Sequence, residues 1–221
     1  MHNSLSNLIV IQNFVKAKFN NTKNQIKLPE IIAVSKTFPM SEILPLINYG
    51  HQHYGENKVQ EAIEKWSDIK PDFKELKLHM IGNLQTNKVK YVVQLFDYIH
   101  SLDSLKLAAK ISSEQLKFNR KLKIFIQVNI GNESQKTGID IDQLEVFYKT
   151  CKNDFDLDIV GLMCLPPKSI NSSNYFGLMK KLNNKIELLE LSMGMSEDYI
   201  EALDYGSTFL RIGSKIFGKR T

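Results

Sequence analysis

The first group in this sequence able to do covalent chemistry is a lysine that ends a run of apolar residues. In Ile31-Ile32-Ala33-Val34-Ser35-Lys36-Thr37, the β-branched run predicts a strand buried on both faces, of the kind found in parallel sheets. Lys36 stands where that strand emerges. The carboxyl ends of such strands carry chemistry, because the loops there converge on a ligand while the packed strands hold them still. An amine at such a place is partly desolvated, which disfavours its charged form and frees a lone pair to attack an aldehyde. A lysine that lays its stem along the sheet edge and keeps its head in water would leave the same local sequence.

Two later stretches have the residue types of an anion site. In Ser192-Met193-Gly194-Met195-Ser196-Glu197-Asp198 a strand ends on a glycine turn, and Ser196 is placed to cap the next helix. In Arg211-Ile212-Gly213-Ser214-Lys215-Ile216-Phe217-Gly218 a strand runs into Gly213-Ser214 and a short helical turn. Each alone reads equally as an ordinary loop with a glycine and a serine cap. Arg211 constrains the picture further, because a guanidinium inside an apolar strand is always charged and needs an acceptor. That acceptor is either a core carboxylate or a ring nitrogen of a bound cofactor. A lysine, an anion cup and an arginine around one mouth meet the needs of pyridoxal 5′-phosphate (PLP): an aldehyde partner, a phosphate site and a group to set the pyridine electronics.

The elements that must position these groups alternate along the chain. Helical spacing over about Leu5 to Phe19 leads to the first strand. Ser41 is the expected cap of a second helix reaching Tyr49, in which Pro45 fits badly unless the helix kinks or starts late. Further strands are expected at 51–55, 78–82, 98–101, 122–130, 159–163, 188–193 and 208–212, each paired with a helix. Eight alternations over 221 residues predict a (β/α)8 barrel, with the phosphate site in the loops after strands seven and eight. No linker or composition shift divides the chain, so residues 1–221 are expected to form one domain. The amphipathic first helix, with Leu8, Ile11 and Val15 on one face, is expected to cover the bottom of the barrel.

Bulk properties narrow the function classes. Net charge is +5, but the lysines are scattered rather than clustered, which gives a solvated surface and no expected nucleic-acid partner. Only three of the 29 basic residues are arginines, Arg120, Arg211 and Arg220. Cys151 and Cys164 have neither disulfide-like nor metal-like spacing, which points to a reducing compartment. No stretch has the features of a leader or the length of a membrane span, so the expected location is the cytoplasm. His51 and His53, two apart, lack a third ligand at metal spacing. Met193 and Met195 read as packing.

Several ordered motifs resemble the pyridoxal phosphate homeostasis proteins of the YggS and PROSC type. They are Ala33-Val34-Ser35-Lys36-Thr37, Tyr54-Gly55-Glu56-Asn57-Lys58-Val59-Gln60-Glu61, His79-Met80-Ile81-Gly82-Asn83-Leu84-Gln85-Thr86-Asn87-Lys88, Gln127-Val128-Asn129-Ile130 with Lys136-Thr137-Gly138, Gly161-Leu162-Met163, Leu191 to Ser196, and Arg211 to Gly218. The resemblance implies a barrel like the N-terminal domain of alanine racemase, with Lys36 as the Schiff-base lysine. It further implies that Asn57 contacts the cofactor, that Ser196, Gly213 and Ser214 hold the phosphate, and that Arg211 faces the pyridine nitrogen. Met80 replaces a usual aromatic and Ser214 a common threonine, both without loss of role. Lys58 and Lys136 are the competing amines, each read as a solvated loop lysine. The implied partners are PLP and the PLP-dependent apoenzymes that receive it. The chain ends at Thr221, three residues past Gly218, which leaves no room for the second, mostly β domain of the two-domain racemases; amino-acid turnover is therefore not expected, and a racemase is the competing reading.

Overall fold

The computed structural model describes residues 2–21, 27–132, 137–167 and 172–219. Eight parallel strands close into a barrel in chain order: β1 (Glu30–Val34), β2 (His53–Glu56), β3 (Lys77–Met80), β4 (Tyr98–Leu102), β5 (Lys123–Val128), β6 (Asp158–Cys164), β7 (Glu190–Met195) and β8 (Phe209–Ile212). Outside them lie α1 (Asn3–Asn20), α2 (Met40–Asn48), α3 (Val59–Trp66), α4 (Val89–Leu95), α5 (Leu105–Phe118), α6 (Leu144–Asn153), α7 (Ser172–Lys185), α8 (Tyr199–Asp204) and α9 (Ser214–Phe217). This is the predicted (β/α)8 architecture. The last strand closes on the first with Glu30 opposite Phe209 and Ala33 opposite Ile212.

Alternation along each strand sorts its side chains into two layers. From β1, Ile31 and Ala33 face outward into the core shared with the helices. Ile32 and Val34 point inward and join Phe125, Met163 and Phe209 as the filling of the barrel. That filling also contains histidines: the His79 ring stacks on Tyr98 at 4.2 Å and the His100 ring on Phe125 at 4.3 Å. Each of these two histidines is the third residue of its strand, so the shared phase of β3 and β4 sends both rings to the axis.

Three local expectations are corrected. Ser41 does not cap α2, which starts at Met40 after Pro39 with no side-chain cap. Pro45 lies inside that helix; it removes only the bond to the Ser41 carbonyl, close to an exposed helix start where water can replace it. Helix α1 buries Leu8, Ile11 and Val15 as its spacing predicts, yet it lies against the side of the barrel rather than under it. Asn7 Nδ2 donates to the Ile216 carbonyl at 3.0 Å, Ser4 Oγ to the Glu42 carbonyl at 3.0 Å, and Lys18 Nζ pairs with Asp204 at 2.7 Å. These bonds tie it to α9, α2 and α8, across the seam where β8 meets β1. Gln12, Asn13, Val15 and Lys16 border the bottom rim beside Glu30, His51 and His53.

The buried histidines give stability a pH dependence. Burial holds His51 and His53 down at about 4, with His53 and Lys27 respectively adding repulsion. His79 and His100 lie well below the usual value, again through burial first, then through the neighbouring His100 and Arg211 respectively. Unfolded histidines protonate near pH 6.5. Below that pH the unfolded chain binds more protons than the folded one, so stability is complete above about pH 7 and is lost as pH falls toward about 4. Urea unfolding should show a free energy of unfolding that declines through this window, by on the order of 1 kcal/mol per pH unit for each such histidine; a flat profile between about pH 7 and pH 5 would contradict the assignment.

Candidate functional site at the barrel mouth

Lys36 emerges one residue after Ser35, whose amide donates to the Gly55 carbonyl of β2 at 3.1 Å. The turn that carries it is clamped by the end of β2 and by α3. Ser35 Oγ donates to Glu56 Oε1 at 2.8 Å, and Lys65 Nζ donates to the Ser35 carbonyl at 2.9 Å. On the other side, the Thr37 amide donates to Glu61 Oε1. Thr37 has a φ of 70°, a left-handed conformation costing a threonine on the order of 1 kcal/mol or more. The clamp therefore holds the backbone at Lys36 in a geometry it would not adopt alone.

Asn57 follows the last residue of the neighbouring strand β2, and its Oδ1 is buried without a partner among the described residues. Gly82 keeps it in place: a Cβ there would come within 2.4 Å of the Asn57 carbonyl. On the other flank of β1, Gly213 follows β8, and a Cβ on it would press on Val34 at 3.3 Å. Thus Lys36, Asn57 and Gly213 leave the same end of three adjacent strands, with registers Val34 to Gly55 and Ala33 to Ile212.

Ser196, 7% exposed, does not cap the following helix as expected; α8 begins later, at Tyr199, and Asp198 Oδ1 takes the Met195 amide at 2.6 Å. The Ser196 hydroxyl instead accepts from the amides of Gly213 and Lys215 at 3.3 and 3.4 Å. It joins the two loops that the sequence singled out. Ser214, exposed at the first residue of α9, makes no side-chain hydrogen bond among the described residues. Lys58 is exposed, whereas Lys136 and Arg220 fall outside the described residues.

Arg211 is 4% exposed and points into the barrel. Of the two acceptors the sequence left open, a core carboxylate is not what it meets among the described residues. Nη1 donates to Ser192 Oγ at 2.6 Å and Nη2 to the Cys164 carbonyl at 2.8 Å. Both acceptors are neutral, and burial lowers the guanidinium's pKa. Among the described residues no group of His, Cys, Asp and Glu is arranged to hold a metal.

The family model of the alanine racemase N-terminal domain matches residues 12–221. A pyridoxal phosphate homeostasis protein of Aquifex aeolicus is 36% identical over 200 residues, covering 86% of this chain and 87% of the relative. The chain belongs to this family. Another member, from Escherichia coli K12, is 31% identical across 100% of this chain and 98% of its own. Among solved structures, PipY of Synechococcus elongatus PCC7942, which was solved with PLP bound, superposes with a TM-score of 0.81 at 30% identity over 94% of this chain and 100% of PipY. An alanine racemase from Bartonella henselae shares the barrel at 18% identity and a TM-score of 0.68, with 95% of this chain aligned to 61% of that one.

The residues that surround the site in the family's barrel were less legible than those that face it. Glu56, Glu61 and Lys65 lie in or beside one of the motifs, but their convergence behind Lys36 requires knowing that α3 reaches the turn after β1. A signal was present in Glu61 and Lys65, four apart on one helix face. Glu56 is fully buried, accepts from Trp66 Nε1 at 3.0 Å and pairs with Lys65 at 3.0 Å. Burial raises its pKa, and Lys65 opposes that rise. Lys65→Met leaves this carboxylate without its cation, and urea denaturation should show a loss of about 3 kcal/mol. A change within about 0.5 kcal/mol would show that the pair is not what holds the turn.

Proposed function

We propose that this protein holds PLP at the mouth of the barrel and serves intracellular PLP homeostasis, by buffering the cofactor or delivering it to apoenzymes. The observation that carries this reading is the convergence of Lys36, Asn57 and Gly213 on one barrel end, above a buried Arg211 with only neutral acceptors. The groups fit PLP. Lys36 offers an amine for a Schiff base with the aldehyde. Asn57 has a buried amide oxygen without a partner among the described residues, and Gly213, packed on Val34, holds the end of β8 beside that of β1. Ser196, whose hydroxyl gathers the Gly213 and Lys215 amides, and the Gly213-Ser214 turn at the open edge form the phosphate site. Arg211 supplies a charged donor for the pyridine nitrogen. Family membership and the PLP-bound relative support the same ligand.

The reading excludes substantial turnover. Racemisation needs an acid and a base on opposite faces of the substrate carbon, and an arginine does not readily yield its proton to the pyridine ring. PLP supplies the electron-sink chemistry wherever it binds; here the chain's own residues bind and orient it. The shared barrel of the alanine racemases keeps a slow racemase as the competing reading. No helix among the described residues is long and apolar enough to cross a membrane, and we place the protein's work in the cytoplasm, as one 221-residue domain.

Three measurements test this. Borohydride reduction of protein mixed with PLP should label Lys36, and Lys36→Ala should remove both the label and the visible absorption band; label on another lysine would refute the assignment. Because charge-assisted hydrogen bonds are worth about 1.5–3 kcal/mol each, pyridoxal lacking its phosphate should bind at least about tenfold more weakly. Equal affinities would remove Ser196, Gly213 and Ser214 from the site. Incubation with single amino-acid enantiomers in deuterated water should give no turnover approaching about 1 s⁻¹; turnover at that rate would establish the racemase instead.

A further inference from the structure

Arg211 has no carboxylate partner among the described residues, but it begins a line of hydrogen bonds that crosses the barrel. Its Nη1 donates to Ser192 Oγ at 2.6 Å, and Ser192 Oγ lies 2.9 Å from His100 Nδ1. His100 Nε2 is 2.9 Å from His79 Nδ1, and His79 Nε2 is 2.9 Å from His53 Nδ1. His53 Nε2 then faces the Glu30 carboxylate at 3.6 Å, at the bottom rim. The line descends from β8 and β7 through β4 and β3 to the starts of β2 and β1. All three rings have the same sense, with Nδ1 toward Arg211 and Nε2 toward Glu30.

A neutral imidazole carries one N–H and one lone pair. Each ring-to-ring contact therefore needs one donor and one acceptor, so the choice made at one histidine dictates the other two. Two neutral arrangements satisfy the contacts between rings. With every proton on Nε2, His53 donates toward the Glu30 carboxylate and the Ser192 hydroxyl donates to His100 Nδ1. The Ser192 lone pairs are then free for Arg211, and every contact from Arg211 to His53 has one donor and one acceptor. With every proton on Nδ1, the His53 lone pair faces the carboxylate, and Ser192 receives both Arg211 and His100. Its own proton is then left with no acceptor among the described residues. A cation at one end and an anion at the other also favour dipoles that point their hydrogens away from the cation.

We propose that Ser192, His100, His79 and His53 are positioning residues for Arg211: a proton-ordered relay whose donated hydrogens all run from Arg211 toward Glu30. The relay fixes the direction of the guanidinium and balances its charge with aligned neutral dipoles instead of a carboxylate. The other N–H groups of Arg211, with no carboxylate in contact among the described residues, are left to meet the aromatic nitrogen of a ligand. The inference rests on PLP occupying the mouth, and the tautomers can be read without it. The depressed histidine pKa values are consistent with three neutral rings.

The first arm of the test is nitrogen-15 NMR of the histidine side chains of the full chain without ligand. His53, His79 and His100 are expected as Nε2–H tautomers at neutral pH; any one of them as Nδ1–H or as imidazolium overturns the relay. The second arm compares the affinity for PLP with that for its carbocyclic analogue, in which C–H replaces the ring nitrogen. The wild-type chain should prefer PLP. His79→Phe keeps a ring to stack on Tyr98 but cuts the line without touching Arg211 or Ser192, and Ser192→Ala cuts it at the arginine. Both should reduce the preference, by about two- to thirtyfold, while phosphate-dependent binding persists. An unchanged preference in both variants overturns the relay. If His79→Phe fails to fold, Ser192→Ala and the tautomers decide. If the wild-type chain binds neither compound, the reading of the mouth as a PLP site fails, and the tautomers still decide the relay. If it binds both equally, Arg211 does not face the ring nitrogen and the proposed purpose of the relay falls.

Discussion

The pairing of β8 with β1 is the constraint on which everything else depends. It joins segments almost the whole chain apart, Glu30 with Phe209 and Ala33 with Ile212, and so carries the largest loop-closure cost of any strand pair in the barrel. Until it forms, Lys36 and Gly213 belong to opposite ends of a strip. Once it forms, the Gly213 backbone packs on Val34, and the Ser196 hydroxyl reaches the amides of Gly213 and Lys215. Helix α1 then bonds to α2, α8 and α9 across the same seam. The site and the closure of the barrel are one event, not a site added to a finished scaffold.

Polar groups in the interior are kept in two different ways. Behind Lys36, Glu56 and Lys65 form an ion pair almost out of water, supported by Trp66 and Ser35. At the axis, Arg211 is met by a hydroxyl and a carbonyl. The first arrangement neutralises its charge locally and fixes backbone. The second meets a charge with neutral acceptors alone among the described residues. Aromatic rings fill the axis beside the histidines, with Phe209 against His79 at 5.7 Å and against Phe125 at 5.5 Å.

The sequence revealed most of the fold, because an eightfold alternation of strand and helix signals admits few closed solutions. Lys36, Gly213 and Ser214 stood out in the sequence because strand ends are where periodicity breaks, whereas Asn57 came only with the family resemblance. What stayed hidden depended on which neighbour a side chain meets. Ser196 read as a helix cap, because capping is local and its real partners come from the next loop. Ser41 read as a cap for the same reason, and the helix began one residue earlier. His51 and His53 invited comparison with each other, whereas His53 bonds to a histidine one strand away. Histidines in β2, β3 and β4, at 53, 79 and 100, form a pattern across strands that a reading along the chain does not join.

The two cysteines have a consequence for any aldehyde that enters the mouth. Cys164 lends its carbonyl to Arg211, yet burial pushes its thiol up to about 12, and Cys151 likewise. Sulfur attacks carbonyls and oxidants as the thiolate, and at neutral pH neither residue supplies one. Addition of sulfur to the carbonyl is therefore suppressed by burial, even where the backbone of a cysteine lies within one hydrogen bond of the site. The same burial keeps both sulfurs from mild oxidants, which also act on the exposed thiolate.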